Sequence, residues 1–146
     1  MKYITGAGTD INGQTIKKWF EEQIGESFDP GYSAMAFMDK DKIKSAALFN
    51  NYNGHNIEFH WYSGKSISRG NFRTILNYVF NILECNRLST IPHRSHIKTL
   101  MILPRLGFFQ EAILKNYYGI DPPMDGLLYV IDKERAKYWL KTNGDI

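Results

Sequence analysis

One run constrains this chain more than any other. From Ile57 to Ile91 it reads IEFHWYSGKSISRGNFRTILNYVFNILECNRLSTI. IEFHWY, Ile57 to Tyr62, is an aromatic-rich strand pattern. Phe72, Ile75, Leu76, Val79, Phe80 and Leu83 then recur at helical spacing, which predicts a helix over about 69–84 with one buried face. RLSTI, Arg87 to Ile91, is a short second strand, broken by Pro92. A strand, a helix and a strand in direct succession place the two strands parallel, joined by a right-handed crossover.

The flanking segments fill out the sheet. Ile16, Trp19, Phe20 and Ile24 predict an amphipathic helix over about 13–24, ended by Gly25. The Asp29–Gly31 stretch is a turn. YSAMAFMD and IKSAALFNNY read as a hairpin joined at Lys40–Lys42, followed by the turn NNYNGHN. A helix at about 96–105 holds Pro104, which should shorten or kink it, and Gly107 caps it. FFQEAILKNYY and GLLYVID are further strands, and KERAKYWL is a last helix. The expectation is one mixed α/β domain over 1–146, mostly antiparallel apart from the crossover pair.

Charge is unevenly placed. The formal net charge is +3, yet from Trp61 to Gln110 seven cations face a single acid, Glu84. Such a segment suggests a localised anion. The chain lacks an apolar run of the roughly 18 residues that a membrane span needs. Neither a signal peptide nor a membrane partner is expected, and the expected compartment is the cytoplasm. Cys85 lies in an apolar helical pattern and reads as buried rather than nucleophilic. His55, His60, His93 and His96 form no compact ligand motif, so no metal is expected.

Gly64-Lys65-Ser66 invites a triphosphate-binding reading, but such a loop needs a glycine where Phe59 stands. Gly6–Gly8 reads as a flexible N-terminal turn. The strand-to-helix junction can still hold a phosphate through backbone N–H groups at the positive end of the helix dipole. Ser66, Ser68 and Asn71 can cap, Gly70 permits close approach, and Arg69 and Arg73 stand four apart. An ordinary capped helix with solvated arginines explains the same residues equally well.

Three stretches together resemble the GNAT superfamily of N-acetyltransferases. They are SRGNFRTILNYVFNILECNRLST, then RLGFFQEAILK, then the apolar last strand followed by KERAKYWL. The likeness covers about the last 90 residues. It is strongest toward the ribosomal-protein N-terminal acetyltransferases and short phage-encoded members. It implies a mixed sheet splayed between the fourth and fifth strands, with acetyl-CoA in the gap. The fourth strand would be IEFHWY, pairing with the pantetheine arm, with a backbone N–H at His60 or Trp61 polarising the thioester. The pyrophosphate would lie on Ser66, Ile67, Ser68, Arg69, Gly70, Asn71 and Arg73. His96 would stand where members often have Asn at the end of the fifth strand. The family's loop glycines are absent, its frequent tyrosine acid is replaced by Leu103, and a usual glycine by Ala112.

The implied reaction is direct acetyl transfer within a complex of both substrates. The acceptor is an amine of a protein N-terminus, a lysine or a small molecule. An α-amine loses its proton near pH ~8 and a lysine near ~10.4, so the acceptor decides how strong a base is needed. Glu58 and His60 lie two apart on one strand and share a face, so either can be that base. His93 and His96 are secondary candidates. GIDPPMDG, Gly119 to Gly126, is expected as a loop over the cleft. The alternative is a catalytically degenerate member that acts by binding protein. Single-stranded nucleic acid is a remote third partner, and monomer and homodimer are both open.

Overall fold

A computed structural model of the chain describes residues 2–25, 27–28, 31–63 and 67–140. Among the described residues a seven-stranded sheet runs in the order β1-β2-β3-β4-β5-β7-β6. The strands are β1 Lys2–Ala7, β2 Ser33–Asp39, β3 Lys42–Asn50, β4 Asn56–Ser63, β5 Arg87–Thr90, β6 Phe109–Ile120 and β7 Pro123–Asp132. The helices are α1 Ile11–Ile24, α2 Arg69–Leu76 continuing as a π-helical stretch over Asn77–Ile82, α3 Ile97–Leu106 and α4 Lys133–Leu140. The β4–β5 pair is parallel and every other pair antiparallel, as the crossover requires.

β3 explains how one sheet supports two cores. Ser45 to Phe49 are all buried, and their side chains alternate between faces. Ala46 and Leu48 join Ile16 and Phe20 under α1. Ala47 and Phe49 join Phe59, Phe72, Phe108 and Trp139 under α2 and α4. Cys85 is fully buried in that second core.

Three local expectations change. The first is Gly6–Gly8, which is no flexible turn: Gly6 lies in β1, opposite Ala34. A Cβ on Gly6 would sit 2.1 Å from the Gly13 nitrogen, and one on Gly13 would sit 1.9 Å from the Ala7 carbonyl oxygen. Both glycines are there because α1 starts hard against β1. Asp10 caps that start, accepting from Gly13 N at 2.7 Å. The second is GIDPPMDG, which is no loop over the cleft. β6 runs on to Ile120 and β7 begins at Pro123, so only Asp121 and Pro122 make the turn of a long hairpin. The third is α3, which passes through Pro104 to Leu106. Proline falls in its last turn, where Gly107 closes the helix in a left-handed conformation (φ 105°). The Asp29–Gly31 turn lies largely outside the described residues.

Candidate functional site: a cleft between parallel strands

β4 and β5 are paired only at Asn56–Arg87, Ile57–Leu88 and Glu58–Ser89. Beyond Glu58 the two strands diverge, so β4 from Phe59 to Tyr62 has no strand partner on that side among the described residues. Its backbone there is a free edge of N–H and C=O groups. The divergence opens a cavity of about 900 Å³, bounded by β4, the Ile91–His96 turn, α3 and Tyr118. This is the splay expected between the fourth and fifth strands.

Glu58 and His60 do come together. Glu58 Oε2 lies 3.3 Å from His60 Nε2. His60 lines the cavity, and Glu58 is buried behind it. Two further groups fix the pair. Asn50 Oδ1 is 3.0 Å from His60 Nε2, and Asn51 Nδ2 donates to Glu58 Oε1 at 3.2 Å. With Glu58 ionised and Asn50 presenting its carbonyl oxygen, Nε2 carries the proton and Nδ1 the lone pair. Burial lowers the His60 pKa to about 4, so the ring is neutral at neutral pH. Burial pushes Glu58 the other way, up from its usual range, against the bond from Asn51.

Asn50 and Asn51 do not stand out in the sequence, where they read as turn residues. The signal is in the register. Asn50 lies directly opposite Glu58, and Asn51 takes the left-handed conformation (φ 54°), which asparagine tolerates. Phe28 carries no sequence signal either. Its ring meets His60 edge-on at 4.9 Å, and its backbone N–H donates to Glu21 Oε2 at 2.6 Å. Glu21 in turn pairs with Lys17 at 3.4 Å.

The residues expected to bind phosphate are distributed as follows. Ser66 lies outside the described residues. Ile67 lines the cavity. Ser68 caps α2, accepting from Asn71 N at 3.0 Å. Gly70 is open, with no atom within 4 Å of the place a Cβ would take. Arg69 lies over the Trp139 ring at 4.7 Å, and Arg73 Nε donates to the Trp139 carbonyl at 2.9 Å. Both arginines therefore hold α4. His96 is not at the end of the fifth strand, because β5 stops at Thr90. It is the residue before α3, still on the cavity wall, with its ring stacked at 5.0 Å on His93. Trp61 lines the cavity, and its buried Nε1 has no hydrogen-bond partner among the described residues. Leu103 is buried and offers no proton.

The basic segment is partly neutralised by acids from later in the chain. Arg87 makes a two-pronged pair with Glu111 at 2.7 and 3.1 Å, and Arg94 binds Asp125 at 2.8 Å. Lys98 remains on the cavity wall. Among the described residues no group of acidic, histidine and cysteine side chains suits a metal ion, and no helix is long and apolar enough to cross a membrane.

No protein-family model matches the chain, and no curated protein matches it. Solved structures do. Mutant forms of the spermidine/spermine N-acetyltransferase SpeG from Vibrio cholerae superpose with a TM-score of 0.76 at 14% identity, over 96% of this chain and 100% of that one. A chimera of that enzyme with hSSAT gives 0.71 at 17% identity, over 94% and 99%. The Vibrio cholerae enzyme with manganese ions gives 0.73 at 15%, over 94% and 95%. At these identities the likeness reaches the fold, and not the ribosomal-protein or phage branch. With its splayed β4–β5 pair, this chain has the fold of the GNAT N-acetyltransferases.

Proposed function

We propose that this protein is an acetyl-CoA-dependent N-acetyltransferase acting on an amine, with His60 as the base and Glu58 as the group that orients it. The observation that carries the reading is the Glu58–His60 pair on the wall of the β4–β5 cleft. The cleft suits the co-substrate: among the described residues the β4 edge from Phe59 to Tyr62 lacks a strand partner toward β5, Ile67 borders it, and the start of α2 at Gly70 is open. When bound, acetyl-CoA supplies a thioester acyl group whose transfer yields an amide and a free thiol.

The chain's own residues would do the rest. The β4 edge offers N–H groups to an acyl carbonyl. The Nδ1 lone pair of His60 takes the amine proton, while Glu58 and Asn50 hold Nε2–H and so fix the tautomer. The imidazole is neutral near pH 7, and with a pKa of about 4 it is a weak base, so it takes the proton as the N–C bond forms, when the nitrogen's proton is most acidic. His60→Ala should lower kcat/KM by about 10²–10⁴-fold, the usual worth of a positioned base. Glu58→Gln should cost less, since it leaves the ring in place.

A second reading, a fold-retaining protein that binds partners without turnover, is favoured by the two arginines. Arg69 and Arg73 are engaged with Trp139, and Leu103 replaces the usual acid. Calorimetry with acetyl-CoA and a thiol-release assay over an amine panel separate the two. Absence of binding at millimolar acetyl-CoA sinks the enzyme, and acetylation of any amine sinks the alternative.

A further inference from the structure

The acceptor side of the cleft carries rings where a polycation would need acids. One wall is formed by His60 and Tyr62 of β4 with Phe20 of α1, and the far wall by His93, His96 and Tyr118. Each wall is braced. Trp19 meets Tyr62 edge-on at 5.7 Å, and Phe28 meets His60 and Phe20 edge-on at 4.9 and 5.7 Å. Across the cleft His93 contacts His96 and Tyr118, each with ring centroids 5.0 Å apart. The Tyr118 hydroxyl donates to the Ile91 carbonyl, and Ser95 Oγ lies 2.6 Å from His93 Nδ1. The Glu21 carboxylate that accepts from Phe28 N fixes that ring before any ligand arrives.

Among the described residues, no carboxylate lines this cavity, and Lys98 is its one formally charged side chain. Glu58, the acid behind His60, is already held by His60 and Asn51. The reacting amine must be neutral to attack, so a monoamine brings no charge that this wall has to match. A polyamine brings further cations that would lose water without gaining a partner, and Lys98 repels them. Aromatic faces attract a cation weakly at exposed positions but hold a flat apolar body well.

Resting on the acetyl-transfer reading above, we infer that the acceptor is a monoamine with an aromatic or apolar body, gripped between the Phe20–His60–Tyr62 and His93–His96–Tyr118 walls. The inference separates this chain from the polyamine substrate named for its structural neighbours.

The test is a comparison of phenethylamine and tryptamine with spermidine. Initial rates with saturating acetyl-CoA should give kcat/KM at least tenfold higher for the two arylalkylamines. Tyr118→Ala should raise the phenethylamine KM several-fold with little change in kcat, and Tyr118→Phe, which keeps the ring, should restore it. Equal or faster turnover of spermidine overturns the inference and leaves acetyl transfer standing. Absence of acetyl-CoA binding overturns acetyl transfer instead. The pocket is then judged by NMR titration of the free protein with phenethylamine and spermidine. Shifts of ring protons at both walls with phenethylamine alone support the aromatic slot, and their absence, or equal shifts with spermidine, overturns it.

Discussion

At the scale of single residues the pair Glu58 and His60 makes opposed demands on pH. His60 has its folded pKa lowered to about 4, below the ~6.5 of an unfolded histidine. Between those values the unfolded chain binds a proton that the native one refuses, so this residue makes stability rise with pH from about 4 to 6.5. Glu58 has its folded pKa raised, so the native state holds a proton that the unfolded chain has released. Its contribution is therefore lost as pH rises from the ordinary carboxylate value to the raised one. The two partly cancel. In Glu58→Gln the opposing contribution is gone, and the gain in stability from pH 4.5 to 6.5 should exceed that of the parent protein, read by urea denaturation at both values. A flatter profile in the variant would contradict the assignment. The His60 ring should also remain neutral through pH 6.5 when followed by NMR.

At the scale of elements, the two glycines in α-helical surroundings separate packing from propensity. Gly13 starts α1 against β1, and a Cβ there would lie 1.9 Å from a backbone oxygen. Gly13→Ala should cost several kcal/mol, at the upper end of single-residue effects, or prevent folding, as a melt or expression trial would show. Gly70 lies in the first turn of α2 with open space around it. Gly70→Ala should be neutral or stabilise by about 0.4–1 kcal/mol. The anchoring of α4 makes the second contrast. Trp139 takes Arg73 Nε on its carbonyl, Arg69 over its ring, and donates Nε1–H to the Leu106 carbonyl at 2.7 Å. Trp139→Ala should cost about 3–5 kcal/mol, whereas Arg69→Ala should cost about 0.5–1 kcal/mol, both by chemical denaturation. If Arg69 also meets the co-substrate, its variant weakens acetyl-CoA binding out of proportion to that small loss.

At the scale of the molecule, β4 and β5 join the two parts of the sheet through three register pairs. A ligand lying along the free β4 edge would add the missing pairing. Acetyl-CoA at 100 times its Kd should stabilise the protein by about 2.7 kcal/mol, visible as a rise in Tm. Those amides of residues 59–62 that point away from β3 should slow in hydrogen exchange, while those of β2 should not change, since β1 and β3 already flank that strand. Uniform protection across the sheet would argue against binding at the splay.

The chain's local chemistry determined most of its elements. The period of Phe72 to Leu83, the alternation of IEFHWY and the stop at Pro92 are enough to demand a parallel pair, because a crossover has one favoured hand. The adjacency of Glu58 and His60 follows from the two-residue period of a strand. Other features depend on contacts between distant segments, which local pattern does not encode. β1 has little strand signal of its own and exists because β2 offers it an edge and Gly6 and Gly13 let α1 close over it. Asn50 and Asn51 act on the pair only through register, and Phe28 only because Glu21 holds its backbone N–H. Arg69 and Arg73 have the spacing of an anion clamp, yet their partner is Trp139, far along the chain. Local pattern was enough to settle the hairpin, the parallel crossover pair and which side chains share a face; the remaining pairings, and what stands opposite each side chain, came from tertiary contacts, because they depend on how the whole sheet opens and what packs against it.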